Sequence, residues 1–247
     1  MAHDVKMLIE QLLCEGQLFD VGGCPAFLIM PAGKAESSPS PWVWYAPTKL
    51  ADHPSPDHAW MFRQFLEAGF AIAGVDVGES YGNPQGRAVY AAFYETLCAQ
   101  YGLSERACLF PQSRGGLMLY NWASEHARCV ACIAGIFPVG DLRSYPGLKT
   151  ACGAYGMSED ELAACLPEHN PVDRLAPLAK AGVPILHLHG DSDTVVPIEQ
   201  NSGELARRYS KLGGTMELLI VPGKGHEIIP EFFECQALVD FVIRHAG

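Results

Sequence analysis

Short runs of Val, Ile, Leu, Ala and aromatic residues recur along this chain with amphipathic stretches between them. That alternation restricts the possible architecture more than any other property. Runs of strand length lie at Ala26 to Met30, Trp42 to Ala46, Phe70 to Val77, Ala107 to Phe110, Val130 to Phe137, Pro184 to His189 and Met216 to Val221. Several are apolar almost throughout, as strands of a parallel sheet covered on both faces are. Helical patterns fall between them, at His58 to Ala68, Arg87 to Tyr101, Gly115 to His126, Ile198 to Leu212 and Glu231 to His245. Parallel neighbours need a crossover, usually a helix, so the expected fold class is α/β with a doubly wound, mostly parallel sheet. Gly69 and Gly213-Gly214 stand where helix C-caps are expected, and Ala32 to Pro41 reads as an exposed turn. A length of 247 residues suits a single domain spanning 1–247.

The segment 141–182 breaks the rhythm. It holds Pro146, Gly147, Gly153, Gly156, Pro167, Pro171 and Pro177, and a short acidic helix is expected around Ser158 to Cys165. Ser158 followed by Glu161 is a capping-box pattern. The segment follows the strand that ends at Pro138, so it would lie over the carboxyl ends of the strands, where open α/β sheets bind ligands. A small helical cap insertion is expected there. The alternative is an ordinary helical connection without substrate contact.

Composition excludes several classes. Hydrophobic residues make up 49% and charged ones 18%, which fits a well-buried core. A net charge of -11 and no basic stripe argue against a nucleic-acid partner. No run of about 18 apolar residues occurs, so no membrane span is expected. Residues 1–13 carry Asp4 and Glu10 and lack a long apolar stretch, so they do not read as a signal peptide. Nine scattered cysteines fit buried thiols in a reducing compartment. The expected location is cytoplasmic, although a secreted chain with its signal removed would look the same. Oligomeric state is not legible.

The run Phe110-Pro111-Gln112-Ser113-Arg114-Gly115-Gly116 closes one strand pattern and opens a helical one. A strand, a sharp turn carrying Ser, then a helix behind small residues is the layout of a nucleophile elbow. A free Ser hydroxyl reacts poorly until a base can take its proton. A late His stands in Gly223-Lys224-Gly225-His226-Glu227, and an acid lies between them in His189-Gly190-Asp191-Ser192-Asp193-Thr194-Val195-Val196-Pro197. In this order, Ser then Asp then His, the chain resembles the α/β-hydrolase superfamily over most of its length. More narrowly it is similar to its esterase and dienelactone-hydrolase-like branches. The family pattern is G-x-S-x-G, and here Pro111 replaces the first Gly.

The resemblance implies Ser113 as nucleophile, His226 as base and Asp193 as the acid that orients the imidazole. Asp191 is a nearby rival, better suited to holding the turn. Asp141 is a second, because some relatives carry the acid after that strand. One oxyanion donor is implied at the Arg114 N–H. The second would come from Tyr45-Ala46-Pro47-Thr48-Lys49, where the family's HGGG-type motif is absent. Pro47 has no N–H, so Thr48 is the choice and Lys49 the fallback. In the loop from Gly78 to Arg87, Glu79 and Tyr81 would bind polar substrate groups, Lys49 would be a further substrate-binding residue, and Arg87 or Arg114 would pair with a substrate carboxylate. A turn merely stitched by Glu79 and Arg87 is the structural alternative. Trp42, Trp44, Tyr45, Trp60 and Phe62 read as core.

The implied activity is hydrolysis of carboxylic esters, with short acyl chains, on a small-molecule substrate and without a cofactor. A serine peptidase of the same fold is the runner-up, and a non-catalytic binding protein is the contrasting class. His187-Leu188-His189-Gly190-Asp191 resembles the start of a metallohydrolase motif, but Ser192 stands where a further His is wanted, and no metal is expected. Cys129 and Cys132 form a CxxC that enters a strand, where residues three apart face opposite sides. No phosphate-binding glycine loop is present.

Overall fold

The computed structural model describes residues 3–33 and 39–247, so residues 34–38 of the expected turn at Ala32 to Pro41 lie outside it. Eight strands form one sheet. They are β1 (Gly16–Val21), β2 (Cys24–Ile29), β3 (Trp42–Ala46), β4 (Ala71–Val75), β5 (Ala107–Pro111), β6 (Val130–Ile136), β7 (Ile185–Gly190) and β8 (Met216–Val221). Their order across the sheet is β1-β2-β4-β3-β5-β6-β7-β8. All pairings from β4 to β8 are parallel, and β1 and β2 add an antiparallel edge. The expectation of a mostly parallel α/β sheet holds.

Helices cover both faces. On one side α1 (His3–Leu12), α2 (Ala59–Glu67) and α11 (Gln236–Ala246) bury Val5, Leu8, Phe62, Phe65, Val239 and Val242 against the strands. On the other, α3 (Pro84–Tyr101), α4 (Gly115–Glu125), α8 (Ala176–Ala181) and α9 (Ser202–Lys211) bury Phe93, Leu97, Leu119, Trp122, Leu178 and Leu205. Trp42, Trp44, Tyr45 and Phe62 are fully buried, as a core reading requires, and Trp60 is half-buried.

The differences from the sequence expectation have local causes. No strand is expected at β1, because it is largely exposed and carries Gln17 and Asp20 rather than an apolar run. Its turn onto β2 is Gly22-Gly23, both at positive φ, with the Gly23 N–H donating to Asp20 Oδ1 at 2.8 Å. α3 starts at Pro84 rather than Arg87, because Asn83 caps it by accepting the Gly86 N–H at 2.7 Å. α9 starts at Ser202 rather than Ile198. The expected last helix is split into α10 (Pro230–Phe233) and α11 by extended Cys235.

Segment 141–182 carries α5 (Leu148–Tyr155), α6 (Glu159–Ala164), α7 (Leu166–His169) and α8. The Ser158–Glu161 capping box is formed. Ala151, Leu162 and Leu166 pack with Leu117, Val139 and Val196, residues beyond the carboxyl ends of strands, and with Tyr81. Three fully buried asparagines fasten the segment to the core. Asn201 Oδ1 accepts the N–H groups of Gly140 and Asp141 and the Ser144 hydroxyl. Asn170 Oδ1 accepts the Leu142 N–H, and Asn121 Nδ2 donates to the His169 carbonyl.

Candidate active site

β5 delivers Gln112 and Ser113 into a tight turn before α4. The ladder forgoes a donor at Pro111 and resumes around it. The Gln112 N–H donates to the Ala46 carbonyl at 2.8 Å and the Ser113 N–H to the Ile136 carbonyl at 3.1 Å. Ser113 itself has φ +49°, a left-handed conformation that costs a non-glycine residue about 1–2 kcal/mol. Close packing imposes it. A Cβ on Gly115 would stand 2.1 Å from the Ala46 carbonyl oxygen, and one on Gly116 would stand 2.2 Å from that of Val139. The two glycines after Ser113 therefore let the helix start against the end of β3 and the chain just past β6.

Ser113 Oγ lies 2.9 Å from His226 Nε2, and His226 Nδ1 lies 2.8 Å from Asp193 Oδ2. His226 comes from the loop between β8 and α10, and Asp193 from the turn after β7. Asp193 Oδ1 accepts the N–H groups of Val195 and Val196 at 2.9 and 2.8 Å. Burial alone would raise the Asp193 carboxyl, but the hydrogen bonds from His226 and the Val196 N–H, with the His189 ring 3.5 Å from Oδ2, outweigh it and hold the group well below the usual carboxylate range. Asp193 is thus an anion facing the Nδ1 side of the imidazole. Its rivals are occupied elsewhere. Asp191 Oδ1 accepts the Gly223 N–H at 2.7 Å, tying the turn to the His226 loop, and Asp141 is clamped by Arg143.

Around Ser113, neither the Arg114 nor the Thr48 N–H has a backbone acceptor among the described residues. The Lys49 N–H does: it donates to the His53 carbonyl at 2.9 Å, and the ammonium pairs with Asp52 at 3.5 Å. Lys49 is therefore no oxyanion donor in this structure. Glu79 Oε2 sits 3.2 Å from Arg114 Nε, so Glu79 meets the residue after the nucleophile rather than Arg87. Arg87 pairs with Glu125 at 2.9 Å and donates to the Gly82 carbonyl, which turns it away from the role of carboxylate partner. Tyr81, at φ +47°, gives its carbonyl to the Tyr155 hydroxyl at 2.8 Å and so links this loop to α5.

Two features escape the sequence. Phe137 packs its ring against His226 with 4.2 Å between centroids, and its own position at φ +36° follows β6 directly. Behind Ser113, Gln112 Oε1 accepts from the Tyr45 hydroxyl at 2.7 Å and from His58 Nε2 at 2.8 Å. Burial pushes His58 down to about 4, so the ring is neutral and its Nδ1 is free to accept the Ser55 N–H. The CxxC pair makes no disulfide, and all nine cysteines are free thiols. His187 and His189 share a face, as expected of a strand, but both rings are engaged in hydrogen bonds. Among the described residues no three His, Cys, Asp or Glu side chains converge closely enough to hold a metal ion. No helix among them is long and apolar enough to cross a membrane.

The sequence model described as the prolyl oligopeptidase family matches residues 88–246. No curated protein sequence matches. Among solved structures, Porphyromonas gingivalis dipeptidyl peptidase 4 superposes with a TM-score of 0.74 at 16% identity, over 94% of this chain and 35% of that one. A puromycin-hydrolyzing peptidase of Mycobacterium tuberculosis gives 0.73 at 16%, over 96% of this chain and 40% of that one. Est1E from Butyrivibrio proteoclasticus gives 0.67 at 17%, over 93% of this chain and 98% of that one. The chain thus spans well under half the length of these peptidases and nearly the whole length of Est1E. At such identities the likeness is one of fold.

Proposed function

The chain belongs to the prolyl oligopeptidase family, a serine hydrolase of the α/β-hydrolase fold, and from that premise we propose that it hydrolyses carboxylic esters of short acyl chains through Ser113, His226 and Asp193. The observation that carries this reading is the continuous contact Ser113 Oγ–His226 Nε2–His226 Nδ1–Asp193 Oδ2 at 2.9 and 2.8 Å.

His226 Nε2 takes the Ser113 proton as Oγ attacks the ester carbonyl. The charge that develops on the carbonyl oxygen falls to the N–H groups of Arg114 and Thr48. As the tetrahedral intermediate collapses, His226 hands its proton to the departing alkoxide and an acyl-Ser113 ester remains. Water then attacks that ester, His226 takes a proton from the water, and the carboxylic acid leaves with Ser113 reprotonated. Asp193, anionic throughout, stabilises the imidazolium between these transfers. Glu79, which meets the Arg114 side chain, and Tyr81 are assigned to polar groups of the substrate.

Support for an ester over a peptide comes from the match along almost the full length of Est1E. The family match favours the second reading, a peptidase. Hydrolysis of p-nitrophenyl esters from acetate to octanoate, beside aminoacyl and dipeptidyl p-nitroanilides, separates the two. Wild type is expected to cleave the shortest esters best, and Ser113→Ala to lose about 10⁶-fold in kcat. Turnover of anilides with silent esters transfers the reading to a peptidase, and activity that survives in Ser113→Ala ends it.

A further inference from the structure

The histidines of β7 take no part in the chemistry above, yet they are fully buried and joined into one chain of hydrogen bonds. Tyr120 Oη lies 2.7 Å from His187 Nε2, and His187 Nδ1 lies 2.9 Å from Ser202 Oγ. Ser202 Oγ lies 2.7 Å from His189 Nδ1, and His189 Nε2 lies 2.9 Å from the Val196 carbonyl oxygen. His189 Nε2 also stands 3.5 Å from Asp193 Oδ2. Residues from α4, β7 and α9 thus converge on the turn that holds Asp193.

The direction of every proton follows from the far end. A carbonyl oxygen only accepts, so His189 Nε2 carries its hydrogen and donates to Val196. In the neutral ring His189 Nδ1 then accepts, and the proton it receives is that of Ser202. Having given its only proton, Ser202 Oγ accepts from His187 Nδ1. His187 Nε2 is left as an acceptor and receives the Tyr120 hydroxyl. The reverse order would need an imidazolium buried at position 189 and would leave the Tyr120 proton without an acceptor, at a desolvation cost of about 1–3 kcal/mol. Burial holds His187 neutral, pushing it down to about 3, and the ring is wedged against Gly135, where a Cβ would come within 3.0 Å of Cδ2.

We propose that Tyr120, His187, Ser202 and His189 form a one-directional relay of hydrogen bonds whose function is to position the Asp193 turn for catalysis. The proposal rests on the assignment of Asp193 as the triad acid. His189 fixes the carbonyl of Val196, the same residue whose N–H clamps Asp193 Oδ1. The Asp193 carboxylate is thereby gripped from both ends of its turn, with Oδ2 left aimed at His226. These are positioning residues, since none of them touches the reacting atoms.

Ser202→Ala removes the central hydroxyl with the smallest change of volume. It is expected to lower kcat for the best ester by between about tenfold and about a hundredfold with KM unchanged. It should also move the acidic limb of the kcat/KM profile to lower pH, because a loosened Asp193 stabilises the His226 imidazolium less. Tyr120→Phe, which removes only the first donor, is expected to shift both quantities in the same sense by a smaller factor, and it decides the question if Ser202→Ala does not fold. Ser113→Ala serves as the control on the premise, read by labelling with a fluorophosphonate. If Ser113→Ala stays active, the triad falls and the relay with it. If Ser113→Ala is dead while both relay variants keep the wild-type kcat and pH limb, losing only thermal stability, the side chains are structural and the relay alone is overturned.

Discussion

The turn that presents Ser113 and the turn that presents Asp193 both follow central parallel strands, yet they are held in place by different physics. The nucleophile turn is held by shape. Ser113 sits at φ +49° because Gly115 and Gly116 let α4 press against the carbonyls of Ala46 and Val139. The acid turn is held by polar bonds: two backbone N–H groups on Asp193 Oδ1 and a buried imidazole on the Val196 carbonyl. Steric constraint suits a nucleophile, whose oxygen must be pushed out of the sheet. Hydrogen bonding suits an acid, whose charge must be kept while it is buried.

Three perturbations test this contrast. The largest effect is expected from Asp193→Asn. Asn retains an oxygen for the N–H groups of Val195 and Val196, so the turn should keep its shape while kcat for esters falls by about 10⁴-fold. A variant that unfolds instead would show that the charge supports the fold as well as the chemistry. Gly115→Ala attacks the other turn. Its methyl would meet the Ala46 carbonyl oxygen at 2.1 Å and the Pro47 nitrogen at 2.6 Å, backbone atoms that cannot swing aside. A loss of roughly 3 kcal/mol in urea unfolding, together with loss of turnover, is expected. Full stability in Gly115→Ala would mean that shape is not what holds the elbow.

The third test is the pH dependence of stability, to which each region contributes one buried histidine. His58, behind the nucleophile, is lowered by burial from 6.5 to about 4, and His187, in the relay, from 6.5 to about 3. Below pH 6.5 the unfolded chain binds protons at these sites that the native state refuses, so stability falls as pH falls. The two sites together should give a slope of about 2.7 kcal/mol per pH unit from roughly pH 6 to 4, and His187 alone about 1.4 below that. Urea unfolding across this range, compared with His58→Gln, should show half of the upper slope removed and the lower one retained.

The central strands are legible in the sequence because they are buried on both faces and so are apolar nearly throughout. Ser113, Asp193 and His226 stand out because each falls in a loop after such a strand, in the order the superfamily resemblance requires. β1 stays hidden because one exposed face dilutes its pattern, and α1 because its buried Val5, Leu8 and Leu12 are few. The relay cannot be read at all: Tyr120 and His187 are 67 residues apart, and the pairing of their side chains is decided by the sheet that brings α4 beside β7. His187 and His189 show in the sequence as a metal-like motif, and only the placement of Ser202 between them gives the pair another purpose.

Asn121, Asn170 and Asn201 bolt the segment 141–182 to the body of the protein at its start and around His169, and Tyr155 and Ala154 tie its first helix to the loop at 81–83. A segment fastened at so many points belongs to the frame: freeing it would break several buried hydrogen bonds at once, so its amides are expected to exchange on the timescale of the central sheet rather than of a loose loop.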